Sequence, residues 1–261
     1  IKARQRLALS GTPMENNLEE LWSLYDWLIP GLLGNRKAFQ HNFRKPIEKK
    51  GDRAVQARLS KRIAPFLLRR TKEQVALDLP PKTVITETIT LSGAQRELYE
   101  TIRIAMDQRV RAALDKKGLA GSRITVLDAL LKLRQVCCDP GLVKLPAARE
   151  ITASAKRARL LEMLDELMAE GRRVLVFSQF VQMLRLIEDD IKARGYDYAW
   201  LSGETKNRGE LVERFQGGNA PIFLISLKAG GLGLTLTAAD TVILYDPWWN
   251  PAVERQAMDR T

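Results

Sequence analysis

The hydrophobic and polar positions along the chain change rhythm past its middle. Residues 6–9 (RLAL) form a short apolar run that empties into Ser10-Gly11-Thr12-Pro13, the pattern of a buried strand followed by a loop. Asn17, with Glu20 three residues on, marks a helix start. Leu18, Leu21, Leu24, Tyr25 and Leu28 then follow at helical spacing until Pro30-Gly31 stops the run. The polar stretch beyond it reads as two or three short helices closing on IAPFLLRRTKEQV. Pro80-Pro81 punctuates, and TVITETITL alternates as a strand does. From Ser92 to about Cys138 the pattern is helical and amphipathic, broken near Gly118–Ser122.

Residues 139–155 are rich in proline and small residues and make the best domain boundary. Beyond them helix and strand alternate. KRARLLEMLDELMAEG precedes the apolar strand RVLVFS, FVQMLRLIEDDIKARG precedes DYAWL, and RGELVERFQ precedes IFLIS. The strand TVILYD precedes the amphipathic VERQAMDR. Short, fully apolar strands separated by helices predict an α/β fold: a parallel sheet with helices on both faces. In such sheets ligands bind beyond the carboxyl ends of the strands. Ser178-Gln179, Ser202-Gly203, Ser226 to Gly233 and Asp246 to Pro251 occupy those four places.

Charge sharpens the first part of the chain. Of a formal net charge of +11, residues 36–73 carry +10, with thirteen Lys and Arg against Glu48, Asp52 and Glu73. Two readings stand: a solvated helical face, or an electrostatic footprint for a polyanion such as a phosphate backbone. No large apolar face accompanies the charge, which argues against a membrane surface. No run approaches the roughly 20 apolar residues that span a bilayer. Adjacent Cys137 and Cys138 cannot staple distant segments, and His41 alone leaves too few partners for a zinc site. A reduced, intracellular, soluble protein with no metal site is the expectation. Cys137 and Cys138 read as a semi-buried helix end without redox role, and His41 as a surface or packing residue.

Candidate chemistry concentrates near the end. Lys228 with Gly230, Gly231 and Gly233 reads as a small basic loop directly after a strand, where backbone amides can face an anion; a tight strand-to-helix turn has the same pattern. It is neither a GxxxxGK[ST] loop nor a GxGxxG fingerprint. In DPWWNP, Trp248 and Trp249 lie between two prolines, so at least one sits near the surface or under a loop. Arg255 and Arg260 on the following helix face either solvent or an anion across a cleft.

Taken in succession, SGTPMENNLEELWSL, PFLLRRTK, DLPPK, VLVFSQF, LSG, KAGGLGLTLTAAD and DPWWNPAVERQAMDR resemble the C-terminal half of the Swi/Snf-type DNA-dependent ATPases of helicase superfamily two, over almost the whole chain. The resemblance implies a RecA-like lobe of the P-loop NTPase type, preceded by a mainly helical insertion region. It places the tail of a first lobe at residues 1–29, a basic protrusion and linker at 30–91, a second helical protrusion at 92–150 and the second lobe at 151–261. Ser10, Gly11 and Thr12 then correspond to a motif coupling nucleotide state to DNA contact. Ser178, Gln179, Gly203, Arg208, Ser226 and Lys228 correspond to DNA-contacting elements, joined by Trp248 and Asn250 of the WWNP segment. Gly230, Gly231 and Gly233 face the ATP cleft, and Gln256, Asp259 and Arg260 open the motif whose arginine acts as a finger on the γ-phosphate. Arg69 and Arg70, beside a buried-looking PFLL, contact DNA or brace the lobes. Thr235 stands where many members carry Asn.

The resemblance implies ATP and Mg2+ as cofactors of an intact two-lobe protein, none bound tightly by this piece. Its implied partners are duplex DNA and a DNA-bound protein target, with the protein itself a monomer. The absence of chromatin-reading segments favours a prokaryotic, cytoplasmic and nucleoid-associated member over a nuclear one. No GKT or DExH element occurs anywhere in the chain, so the 261 residues are expected not to hydrolyse ATP. The alternative is a non-catalytic nucleic-acid or protein-binding module.

Overall fold

The computed structural model describes residues 3–10, 13–14, 17–70, 82–230, 234–248 and 251–258, in two compact units, 1–85 and 86–261. The first unit is helical. Helix α1 (Leu18–Leu28) starts where Asn17 Oδ1 accepts the Glu19 N–H at 2.9 Å, while the Leu18 N–H is taken by Glu48 Oε1 at 2.8 Å. Asn17→Ala is expected to cost about 1 kcal/mol. Urea unfolding of the two proteins would measure it, and coincident curves would contradict the cap's role.

Helix α2 (Arg36–Phe39) runs through a π-turn (Gln40–Arg44) into α3 (Lys45–Lys50). Pro46 cannot donate to the carbonyl four residues back, and the Lys45 N–H reaches five residues back to Gln40. Gly51, at φ 64°, then closes α3 in the left-handed conformation that glycine adopts without steric cost, and Asp52 caps α4 (Arg53–Ile63). Leu18, Leu21, Tyr25, Phe39, Phe43, Leu59 and Ile63 form the core.

Two expected strands are absent. Residues 6–9 and 83–91 take no strand structure, and Leu7, Leu9, Val84 and Ile85 are exposed. An apolar or alternating pattern makes a strand only beside a partner that completes the ladder, and no strand pairs with either segment among the described residues. PFLL is not buried either: Phe66, Leu67 and Leu68 are exposed within their unit, with Arg69 and Arg70 exposed beside them.

The second unit opens with a helical hairpin, α5 (Gly93–Cys138), reversed at Gly118 (φ 64°, ψ 179°), within the expected break. Gln95 Nε2 donates to the Val136 carbonyl at 2.8 Å, and Arg109 pairs with Asp128 at 3.5 Å, so the two arms run antiparallel. A short helix, α6 (Pro146–Arg149), leads to α7 (Ala155–Ala169), capped by Ser154. The sheet follows as expected: β1 (Val174–Ser178), α8 (Val181–Ala193), β2 (Tyr198–Leu201), α9 (Arg208–Gln216), β3 (Ile222–Ser226), α10 (Leu227–Gly230), β4 (Thr241–Leu244) and α11 (Pro251–Met258).

All pairings are parallel, in the order β2-β3-β1-β4. Alternate residues serve opposite faces. Val174, Val176, Ile222 and Leu224 pack with Leu160 and Leu164 of α7 and Met183, Leu184, Ile187 and Ile191 of α8. Leu175, Phe177, Phe223 and Ile225 pack with Phe215 of α9, Leu227 and Ala229 of α10 and Ala257 of α11. The central strands β1 and β3 are buried along their whole length, which is why they read as unbroken apolar runs.

Candidate nucleic-acid interface at the sheet edge

The chain leaves β1 into α8 on one face of the sheet and leaves β3 into α10 on the other. Neighbouring parallel strands whose connections part in this way leave a crevice between their carboxyl ends. Ser178 and Ser226 sit side by side there in the β1–β3 register. Ser202 follows Leu201, the partner of Ile225, and Asp246 follows β4, so Ser202, Ser226, Ser178 and Asp246 form a polar row along one edge. All four are buried, with Ser178 fully so and Asp246 2% exposed.

Asp246 ties two strands' loops together. Its Oδ2 accepts the Ser178 hydroxyl at 2.5 Å and its Oδ1 accepts the Gln179 N–H at 2.9 Å. Burial pushes its carboxyl up to about 6, against the pull of those two hydrogen bonds and of the Lys156 and Arg134 charges. The helical hairpin braces the same loop from outside the sheet. The Tyr245 hydroxyl donates to the Cys138 carbonyl at 2.8 Å. The Arg134 guanidinium donates to the Pro247 carbonyl and lies 5.6 Å from the centre of the Trp248 ring. The Trp248 N–H in turn donates to Glu254 Oε1 at 2.5 Å, joining the loop to α11.

The other expected residues of this unit fall around the row. Gln179 Nε2 is buried with no hydrogen-bond partner among the described residues, a donor that an incoming oxygen would satisfy. Gly203 begins a turn closed by Thr205, whose Oγ1 accepts the Ser202 N–H at 2.9 Å, and the Arg208 Nε reaches back to the Thr205 carbonyl at 3.4 Å. Lys228 is exposed on α10, and Ser226 Oγ accepts the Ala229 N–H at 3.4 Å. Of the two readings of the Lys228–Gly233 segment, its described part takes the strand-to-helix turn: α10 continues straight from β3. Helices α10 and α11 share one apolar cluster through Leu227, Ala229 and Ala257, which brings the segment of Gly230 near that of Gln256. Gln216 holds the chain entering β4, accepting the Ala238 N–H and donating to the Thr235 carbonyl and the Thr237 hydroxyl. Thr235 thus contributes main chain, which any residue there would supply.

Gly11, Thr12, Gly231, Gly233, Asn250, Asp259 and Arg260 lie outside the described residues, as does the Gln256 side chain. Ser10, Arg69 and Arg70 are exposed in the first unit. The Cys138 thiol is pushed up to about 12, chiefly by burial, which leaves it unreactive. No group of three or more His, Cys, Asp or Glu able to hold a metal ion occurs among the described residues. No described helix is long and apolar enough to cross a membrane.

Residues 1–142 match the SNF2-related domain, and residues 155–261 match the helicase conserved C-terminal domain. The chain belongs to the SNF2 family. Its SNF2 relatives include YwqA of Bacillus subtilis, whose name places it among ATP-dependent helicases and translocases; it is 42% identical over 100% of this chain and 28% of its own length. The human SWI/SNF-related matrix-associated actin-dependent regulator of chromatin subfamily A member 1 is 38% identical over 99% of this chain and 25% of its own length. The chain thus spans about a quarter of these SNF2 relatives. Among solved structures, the Sulfolobus solfataricus SWI2/SNF2 ATPase core domain is 33% identical, with a TM-score of 0.58 over 96% of this chain and 52% of that one. The same core in complex with dsDNA is 32% identical, with a TM-score of 0.57 over 95% of this chain and 53% of that one. The α/β lobe is RecA-like, as these SNF2 cores are.

The strand-end pattern points to Asp246 only as the start of the segment Asp246 to Pro251, and nothing in the sequence points to Arg134. An acid closing the apolar VILY run at a strand's carboxyl end was a legible signal for the first. Arg134 meets Pro247 from 113 residues away, and nothing in its local sequence marks it.

Proposed function

We propose that this chain is the DNA-gripping and coupling portion of an ATP-driven duplex DNA translocase that acts on protein–DNA complexes. One observation carries the reading: the buried polar row Ser202–Ser226–Ser178–Asp246 lies at the switch point of the sheet in a chain of which 95% matches about half of an ATPase core solved with dsDNA. The unpartnered Gln179 amide, exposed Lys228 and the Gly203–Arg208 turn stand around that row and supply donors for phosphate oxygens. Contacts of this kind hold a duplex without reading its sequence, which suits a motor that moves over any DNA. In an intact protein of this design, Ser10, Gly11 and Thr12 would couple the two lobes, with Gly230, Gly231 and Gly233 lining the nucleotide cleft. Gln256, Asp259 and Arg260 would answer the γ-phosphate, while Trp248 and Asn250 border the DNA.

The described residues do not by themselves fit magnesium and ATP. The carboxylate at the sheet edge, Asp246, is spent on Ser178 and Gln179, and no acidic cluster stands ready for a cation among the described residues. The second reading, a binding module without catalysis for these 261 residues alone, is supported by the lack of any GKT or DExH element among them.

Binding of a mixed-sequence duplex, measured at several salt concentrations, tests the proposal. Log K is expected to fall linearly with log[salt], at about 0.9 per phosphate contact, and to vary little between sequences. A flat plot would overturn it.

A further inference from the structure

Two groups of cations in the first unit differ in their partners. Arg36 and Arg44 are held by Glu19, and Arg44 also by Glu48 at 3.0 Å, so these arginines bind the helices to one another. Arg58, Lys61 and Arg62 of α4 have no carboxylate partner among the described residues. They line an open groove of about 600 Å³ together with Asn42 and Phe43 of the π-turn.

The groove is built into the fold. Leu59 and Ile63 bury the opposite side of α4 in the core, which fixes the face that carries the cations. Pro46 and the π-turn set Asn42 and Phe43 against it. The Arg58 guanidinium lies 5.3 Å from the centre of the Phe43 ring, so it is stacked before any ligand arrives.

We propose that this groove is a phosphate-backbone site for duplex DNA, additional to the sheet edge of the second unit. Lys61 and Arg62 stand three and four residues after Arg58, about 5–6 Å from it one turn along the helix, so the three cations edge one groove and can meet neighbouring phosphates. Phosphate contacts need cations and amides and no apolar anchor. A protein partner would want such an anchor at its centre, and the groove offers none, because Phe43 is only 5% exposed and lies beneath Arg58.

The inference rests on the duplex-DNA reading above, and one experiment separates the two. The whole chain is titrated with a fluorescent mixed-sequence duplex across a salt series, alongside two triple variants. One carries Arg58→Gln, Lys61→Gln and Arg62→Gln. The other carries Lys37→Gln, Lys49→Gln and Lys50→Gln, exposed cations that do not line the groove and remove the same charge. Circular dichroism establishes that both variants fold. The groove variant is expected to lower the log–log salt slope by about 2.7, at about 0.9 per contact, and the control by clearly less. Equal slopes for the two variants, with the parent still binding, would overturn the groove and leave the DNA reading standing. No binding by the parent at low salt would overturn both. Displacement of the duplex from the parent, but not from the groove variant, by polyglutamate at matched charge would overturn the choice of a nucleic acid over an acidic protein.

Discussion

Asp246→Ala is expected to lower the stability of the second unit by about 2–4 kcal/mol at pH 5, because two buried donors lose their acceptor. The Ser178 hydroxyl is fully buried, and the Gln179 N–H has Asp246 Oδ1 as its partner at 2.9 Å. The effect depends on pH with a definite sign. The folded carboxyl titrates at about 6, above the ordinary 3.8, so between those values the folded chain binds more protons than the unfolded one. The stability linked to this group is full in acid and is lost as pH rises through about 6. The shift of roughly two units corresponds to about 3 kcal/mol. Asp246→Ala therefore costs less at pH 7.5 than at pH 5, since it also removes a buried charge.

Asp246→Asn keeps the shape and an acceptor for Gln179 while abolishing the titration. Its urea midpoint relative to the parent is expected to rise between pH 4 and pH 7.5, by the equivalent of about 3 kcal/mol. Parallel pH profiles for parent and Asn variant would show that Asp246 is not the buried acid described.

ATP turnover by the 261-residue chain is expected to be indistinguishable from background, with or without duplex DNA. Phosphoryl transfer is catalysed mainly by positioning the phosphates and neutralising their charge, through a glycine-rich cradle with its lysine and through carboxylate-held magnesium. The chain contains no GxxxxGK[ST] and no DExH segment, and its sheet-edge carboxylate is already engaged. A phosphate-release assay on the purified chain measures this. Turnover that rises on adding duplex would show a complete catalytic centre here and sink the prediction. Duplex binding without turnover is the expected combination.

The parallel sheet was legible because each of its strands is bounded by helices with a clear apolar face. IFLIS and RGELVERFQ coincide with β3 and α9, residue for residue. The same rule failed for RLAL and TVITETITL, where the pattern was present and a strand beside it was not. After β3 the strand-to-helix turn prevails over an open loop, because Leu227 and Ala229 gain burial by continuing as α10 against α11. Among the site residues, the serines and Gln179 could be placed from strand ends alone. Their joining by Asp246 could not, since that contact spans 67 residues or more.

The sequence by itself determined the α/β order of the second unit, the family resemblance, and the concentration of +10 charge in residues 36–73. Local periodicity, capping residues and charge are properties of neighbours along the chain, so they survive without a fold. Only the tertiary structure decided which cations are already neutralised and which remain available to a ligand. Arg44 and Arg58 look alike in the sequence, yet one is bound between Glu19 and Glu48 and the other lies stacked over Phe43 at the edge of a groove. That difference depends on which side chains packing brings together across the core, and no local pattern carries it.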